Sequence, residues 1–224
     1  MKKLVLSSLV VASLLVADVT TTFANTNGPA PKVGKTVKVA ANTYKVDVNQ
    51  SNMAWEGKKV TGQHNGTIKL ANGALQVDKN KVVGGTVEID MNSIVNLDLT
   101  DKEYNGKLIG HLKSDDFFSV EKHPRATFKI TNVTPVKGAK AGAANYNVNG
   151  ILTIKGISNP VTFPATVAVN GNSLTAKSEA VVLDRTKWDI RYGSKSFFAN
   201  IGDKAINDDF TVQFNLVANN QVGL

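Results

Sequence analysis

Apolar and polar residues alternate with a period of two along most of this chain, and one stretch breaks the rule. Tyr44, Val46 and Val48 alternate with Lys45 and Asp47, and Met53 and Trp55 open a second run through Lys58-Lys59-Val60 toward Gly62. Thr67–Leu70 and Ala74–Val77 flank Asn72-Gly73, a pair that suits a two-residue hairpin turn. Val87, Ile89 and Met91 alternate with Thr86, Glu88 and Asp90 just after Gly84-Gly85, a doublet that marks a bulge or sharp bend. Ala126, Phe128 and Ile130 make the next face, and Tyr146, Val148, Gly150, Leu152 and Ile154 the one after it. Lys155-Gly156 turns the chain into Val161, Phe163, Ala165, Val167 and Val169, where Pro164 points to an edge or irregular position. Asn170-Gly171-Asn172 signals a hairpin into a strand from Leu174 to Leu183, and Phe210, Val212, Phe214 and Leu216 form the last face. Alternating side chains on extended chain point to opposite faces, so these runs predict half-buried strands, roughly eight to ten of them. Short strands of this kind build a sandwich or a closed barrel, and closure is the simpler way to remove exposed edges. The fold class expected is all-β, an antiparallel β-barrel with one inserted α-helix. Its rival is a two-sheet sandwich with a filled core.

The exception is Thr100 to Ile130. Thr100 and Glu103 have capping-box spacing, and Leu99 and Tyr104 stand where a hydrophobic staple would close. Tyr104, Leu108 and Leu112 recur every four residues with Ile109 beside them, which gives a helix one apolar stripe. Gly106 and Gly110 each cost about 1 kcal/mol relative to Ala, so the helix should depend on docking, and the glycines would permit close approach to another surface. Ser114-Asp115-Asp116 ends the helix, and Phe117-Phe118 is expected in extended chain, one ring in the core and one over its rim. Pro124 blocks any continuation. Such a helix is either a movable lid on the barrel or a plug that belongs to its core.

The N-terminus reads differently. Lys2-Lys3, the apolar run Leu4–Val16 and Thr22-Phe23-Ala24, with small residues at Thr22 and Ala24, match a secretory signal peptide over residues 1–24. A membrane anchor is the competing reading, but the run is shorter than the roughly 20 residues a span needs. Residues 25–42, rich in Pro, Gly, Thr and Lys, read as a disordered leader, and 43–219 as the barrel domain. The mature protein is then exported, periplasmic or extracellular, with no transmembrane segment. The chain has no cysteine, which excludes both an N-terminal lipid anchor and disulfides, so core packing alone must hold the fold.

The net charge is +8, and losing Lys2, Lys3 and Asp18 with the signal segment leaves +7. Only Arg125, Arg185 and Arg191 are arginines, and the lysines are scattered. This is no nucleic-acid surface, which would cluster Arg and Lys with stacking aromatics. It suits a soluble lysine-rich exterior or, as the second reading, attraction to anionic lipid or phosphate head groups.

Candidate chemistry is sparse. His64, His111 and His123 lack the paired spacing of metal ligands, and His64 is expected in a turn. There is no Gly-x-Ser-x-Gly elbow. Asp115-Asp116 and Asp208-Asp209 stand at element boundaries, where Asp caps and turns. No catalytic residue, metal or cofactor is therefore expected. Asp184–Phe198 packs two arginines, two lysines and four aromatics into fifteen residues. It reads equally as a loop over one barrel end pinned by Trp188 and Tyr192, or as a ligand rim where Arg185 or Arg191 meets a polar head.

Several of these segments together resemble the YceI family of secreted lipid-binding proteins, over about Thr43 to Ala218. The most specific are Val87-Glu88-Ile89-Asp90 with Ser93-Ile94, then His111-Leu112-Lys113-Ser114-Asp115-Asp116-Phe117-Phe118, and His123-Pro124-x-Ala126-Thr127-Phe128. Val148–Ile157 and Asp184-Arg185 with Trp188 add to them, whereas Trp55-Glu56-Gly57-Lys58-Lys59 is more lysine-rich than in many members. The resemblance implies an extended, lipocalin-like barrel partly closed by a helix, with a long isoprenoid or other amphiphilic chain inside. On that footing the candidate lining is Val87, Ile89, Phe128, Ile130, Leu152, Phe163 and Phe214 from strands. Leu108 and Leu112 from the helix join it, with Phe117, Phe118 and Trp188, and Arg185 and Arg191 are the head-group candidates. The expected partner is an amphiphilic lipid such as a polyisoprenoid or isoprenoid quinone, bound, transported or stored without catalysis, with a homodimer as an option. The alternatives are an enzyme acting on such a lipid, which needs convergent titratable groups in the lining, and an envelope protein-interaction module with a filled interior.

Overall fold

Alternating inward residues produce strands that close on themselves in the computed structural model, which describes residues 41–221. The expected signal peptide, and the expected leader as far as residue 40, lie outside those residues. Asn42, the last residue assigned to that leader, already opens β1 (Asn42–Val46). The strands that follow are β2 (Asn52–Lys59), β3 (Gly62–Asp78) and β4 (Lys81–Asn96). Helix α1 (Lys102–Lys113) is inserted before β5 (Arg125–Pro135). Then come β6 (Tyr146–Ile154), β7 (Ile157–Asn170), β8 (Ser173–Ser178), β9 (Val181–Asp184) and β10 (Ile206–Asn220).

Every pairing is antiparallel, and neighbours in sequence pair from β2 through to β8. β10 then joins the two ends: one edge pairs with β2 and β1, the other with β9 and β8. The ladder has no free ends, so the sheet is a barrel and the sandwich is excluded. β1 also pairs with β3 beyond the point where β2 begins, so β1 and β2 share one place in the wall. Pro164 lies just outside the register that β8 shares with β7, where the missing N–H leaves no gap in a ladder.

Three expected turns or strands are corrected. Asn72-Gly73 is not a hairpin; β3 runs on through it, with a register shift between Leu70 and Asn72. Gly73 is there for space, since a Cβ on it would stand 2.7 Å from Val46 of β1. The chain reverses at Lys79-Asn80 instead, both with positive φ (48° and 61°) as a tight hairpin requires. Leu174–Leu183 is two strands, broken at Glu179-Ala180. His64 lies within β3 instead of a turn.

The helix is also capped and seated differently from expectation. Asp101, not Thr100, is its N-cap, accepting from the backbone N–H groups of Glu103 and Tyr104 at 2.9 and 3.0 Å. Tyr104 is 64% exposed and lies outside the apolar stripe. Ile109 and Leu112 pack against the core, yet no helix residue is fully buried. Gly106 and Gly110 face open space and touch no second surface. Phe117-Phe118 is a turn instead of extended chain, held by Phe118 N–H to the Leu112 carbonyl (3.1 Å) and Ser119 N–H to that of Ser114 (2.8 Å). It still sends Phe117 into the core and leaves Phe118 half-buried.

One end of the barrel is packed shut. Tyr44, Leu75, Val77, Leu174 and Ala218 are buried there, and the Tyr44 hydroxyl donates to the Gly171 carbonyl at 2.6 Å. That bond ties β1 to the β7–β8 hairpin. At the other end, where β2 finishes and β10 begins, α1 and the segment after β9 cover the opening.

Candidate functional site

Inward side chains of the strands enclose a cavity of about 280 Å³. Its walls are apolar along the barrel: Val87 and Ile89 of β4, Phe128 and Ile130 of β5, Leu152 of β6, Phe163 of β7 and Phe214 of β10 all border it. Three of these rings pack in sequence across the wall, Phe128 tilted against Phe163 at 5.4 Å between centroids and Phe163 edge-on to Phe214 at 5.6 Å. Gly150 makes room for the first of them, because a Cβ there would lie 2.3 Å from the Phe128 ring. Leu108 and Leu112 of α1, with Phe117 and Phe118 behind it, also border the cavity.

Two expected residues are not brought to this lining. Trp188 is only 1% exposed, but it is locked into the cover, its indole N–H donating to the Leu152 carbonyl at 3.1 Å. Arg191 stays on the outside, paired with Asp189 and stacked over Phe197 at 4.6 Å.

Arg185 does border the cavity, though most of its donors are committed. It follows β9 in a short 3-10 turn, Arg185–Trp188, and is 4% exposed. Its guanidinium donates to the carbonyls of Asn207, Ile190 and Ile206 at 3.0, 2.9 and 3.1 Å and reaches Asp208 at 3.4 Å. Burial pulls its pKa down, against the opposing pull of Asp208 and Asp184. Burial likewise pushes the Asp208 carboxyl up, but bonds from Ser194 and Ser196 and the nearby Arg185 leave it lowered overall.

Sequence reasoning missed the mouth. Met53, Trp55, Gly57 and Lys59 share the inward face of β2, and His64 shares that of β3 with Ile68 and Leu70; all border the cavity. The period-two run through Lys58-Lys59 was legible, but its polar residues gave no sign that this end of β2 borders the cavity. His64 is not solitary: its Nδ1 lies 2.8 Å from Asp98, in the link between β4 and α1. Burial pushes the Asp98 carboxyl up. The Asn65 N–H, His64 and the Asn96 amide outweigh that and hold it at about 2. His111 pairs with Asp116 at 3.0 Å and packs edge-on against Phe117 and Tyr192.

The titratable side chains bordering the cavity are Glu56, Lys58, Lys59, His64, Arg185 and Asp209. All belong to the mouth, and none lies deeper along the barrel. Among the described residues no cluster of three His, Asp or Glu is placed to hold a metal, and no helix is long and apolar enough to cross a membrane. Such a cavity can hold an apolar chain along its length and a polar group at its mouth.

The YceI-like domain family matches residues 44–218. Among solved structures, BcnA of Burkholderia cenocepacia is similar with a TM-score of 0.57 and 29% identity, covering 77% of this chain and 99% of that one. A domain from Saccharophagus degradans, described as polyisoprenoid-binding and implicated in plant cell wall breakdown, shares the fold with a TM-score of 0.55 at 14% identity, over 79% of this chain and 98% of that one. A UPF0312 protein of Pseudomonas paraeruginosa is 40% identical over 62 residues, which is 28% of this chain and 29% of that protein. The YceI protein of Escherichia coli is 29% identical over 107 residues, 48% of this chain and 50% of that one. The chain thus spans half or less of the length of these two relatives.

Proposed function

The chain belongs to the YceI-like domain family, and from that footing we propose that it binds an amphiphilic lipid in its barrel, an isoprenoid chain such as a polyprenyl compound or isoprenoid quinone, and carries or stores it without chemical change. The observation that carries this reading is the cavity itself: apolar along its walls, ringed by titratable groups only at its mouth. An enzyme acting on the same lipid would need acid or base groups converging on the chain, and an interaction module would have a filled interior. The polyisoprenoid-binding description of the Saccharophagus degradans domain, which has the same fold, supports the choice of ligand. The chain enters beneath α1, the cover that buries least. We further propose export to the periplasm or beyond, on the basic, apolar and small-residue pattern of residues 1–24. Mass spectrometry of organic extracts from natively purified protein tests the reading. A prenyl lipid should be recovered in near-stoichiometric amount. No extractable lipid, together with no binding of added polyprenyl compounds, would overturn it.

A further inference from the structure

Gly57 sits where a strand of this barrel should present a side chain to the interior. It shares the inward face of β2 with Met53 and Trp55, and it stands opposite His64 on β3 and Phe210 on β10. A Cβ built on Gly57 would meet nothing within 4 Å. Two other glycines of the wall are covered from the neighbouring strand: Gly66 by the Trp55 indole and Gly150 by the Phe128 ring. The void above Gly57 is therefore a niche at the mouth of the cavity.

Its walls are polar on one side and apolar on the other. Phe210 and Trp55 bound it toward the barrel. Lys59, the next inward position of β2, stands between Gly62 of β3, which has no side chain, and Ile206 of β10. Lys58 and Glu56, which also border the mouth, neutralise each other in a 2.9 Å pair, whereas Lys59 makes no ion pair among the described residues. His64 completes the niche. Its Nδ1 is taken by Asp98, a carboxylate held at about 2 by the Asn65 N–H and the Asn96 amide, so Nε2 is the ring atom left for a ligand.

We propose that this niche is the head-group subsite of the bound amphiphile and that it selects a head with anionic oxygens, of which a phosphate monoester is the fitting case. The inference rests on the reading of the barrel as a lipid carrier. A phosphate monoester titrates near neutrality. One hydrogen therefore joins a phosphate oxygen to Nε2 whichever partner holds it, and the Lys59 ammonium supplies the counter-charge. A quinone carbonyl can accept from Lys59 but brings no negative charge to it and no hydrogen to Nε2. An alcohol can donate to Nε2 but leaves Lys59 without a counter-charge. The arginines do not compete for the role. Arg185 has four hydrogen bonds already and Arg191 faces away from the cavity.

Geranylgeranyl phosphate and geranylgeraniol, which share one chain, test this on lipid-stripped full-length protein. The phosphate should bind roughly 10-fold or more tighter than the alcohol, the factor expected for a charge-assisted bond. Lys59→Ala and His64→Ala should each erase most of that ratio by weakening the phosphate alone. Gly57→Leu fills the niche in open space, so it should weaken the phosphate at unchanged melting temperature. Equal binding of both probes to the unaltered protein, or equal weakening of both by Lys59→Ala and His64→Ala, overturns the head-group assignment while leaving the carrier reading intact. Failure of both probes to bind overturns the two together. Millimolar inorganic phosphate should not displace geranylgeranyl phosphate; displacement would mean that the niche serves free phosphate instead of a lipid.

Discussion

Two pieces of chain cover the same end of the barrel, and they are held in opposite ways. The segment after β9 buries Trp188, Ile190 and Ser194 almost completely and ties Arg185 to three backbone carbonyls. Helix α1 buries no residue fully; Ile109 and Leu112 pack on the core at half burial, and its two glycines face open space. Its side-chain bonds to the rest of the fold lie at its two ends, where Asn105 donates to the carbonyls of Leu99 and Asn96 and Lys113 donates to that of Asn92 in β4. Asn96 and Asp98 brace the link from β4 into the helix. One cover is a plug built like core. The other is tied by polar bonds at its ends and rests lightly between them, which makes it the looser cover and the one suited to a lid.

The largest difference should appear on truncating an anchor from each. Trp188→Ala removes a buried indole and its bond to Leu152, and should cost about 3–5 kcal/mol in urea unfolding. Leu108→Ala, at the cavity but not packed into the core, should cost about 1 kcal/mol or less and speed lipid release instead. Comparable losses of stability, with release unchanged for Leu108→Ala, would make the helix a second plug.

The link at the base of the lid should titrate. Asp98 has its folded pKa depressed from 3.8 to about 2, so it contributes stability that is present above about pH 4 and lost as pH falls toward 2. Discounted for its partial exposure, that contribution is about 1–2 kcal/mol. Asp98→Asn should therefore destabilise the protein at pH 7 by about that amount, and the gap from the unaltered chain should close between pH 4 and 2. A gap that is constant with pH would remove the charge from the explanation. Smaller still, Gly106→Ala and Gly110→Ala should each stabilise the helix by about 0.5–1 kcal/mol, since both positions are open and neither has positive φ. Together they should slow lipid release if opening involves loosening of the helix.

Much of this was legible in the period-two pattern. The inward residues of β4 to β7 and β10 alternate so regularly that the barrel wall and most of its lining follow from the order of residues. What escaped depends on contacts between distant segments. Asn72-Gly73 has the composition of a turn, yet Gly73 serves the packing of Val46, which only the folded β1 brings near. His64 and Asp98 are 34 residues apart and meet through the β3–β4 ladder. Trp188 and Phe214 look alike as apolar aromatics, but one seals the end and the other lines the cavity. Arg185 read as a head-group contact because it stands among aromatics, while the carbonyls that occupy it come from Ile190, Ile206 and Asn207.

Amide hydrogen exchange on the unaltered protein, with and without a bound isoprenoid, compares the two covers most directly. Amides of α1 should exchange by a local opening far below the free energy of global unfolding, and the ligand should slow them. Those of residues 185–194 should exchange only with global unfolding. Equal protection of the helix and the plug in the empty protein would contradict a lid and leave the cavity without a movable door.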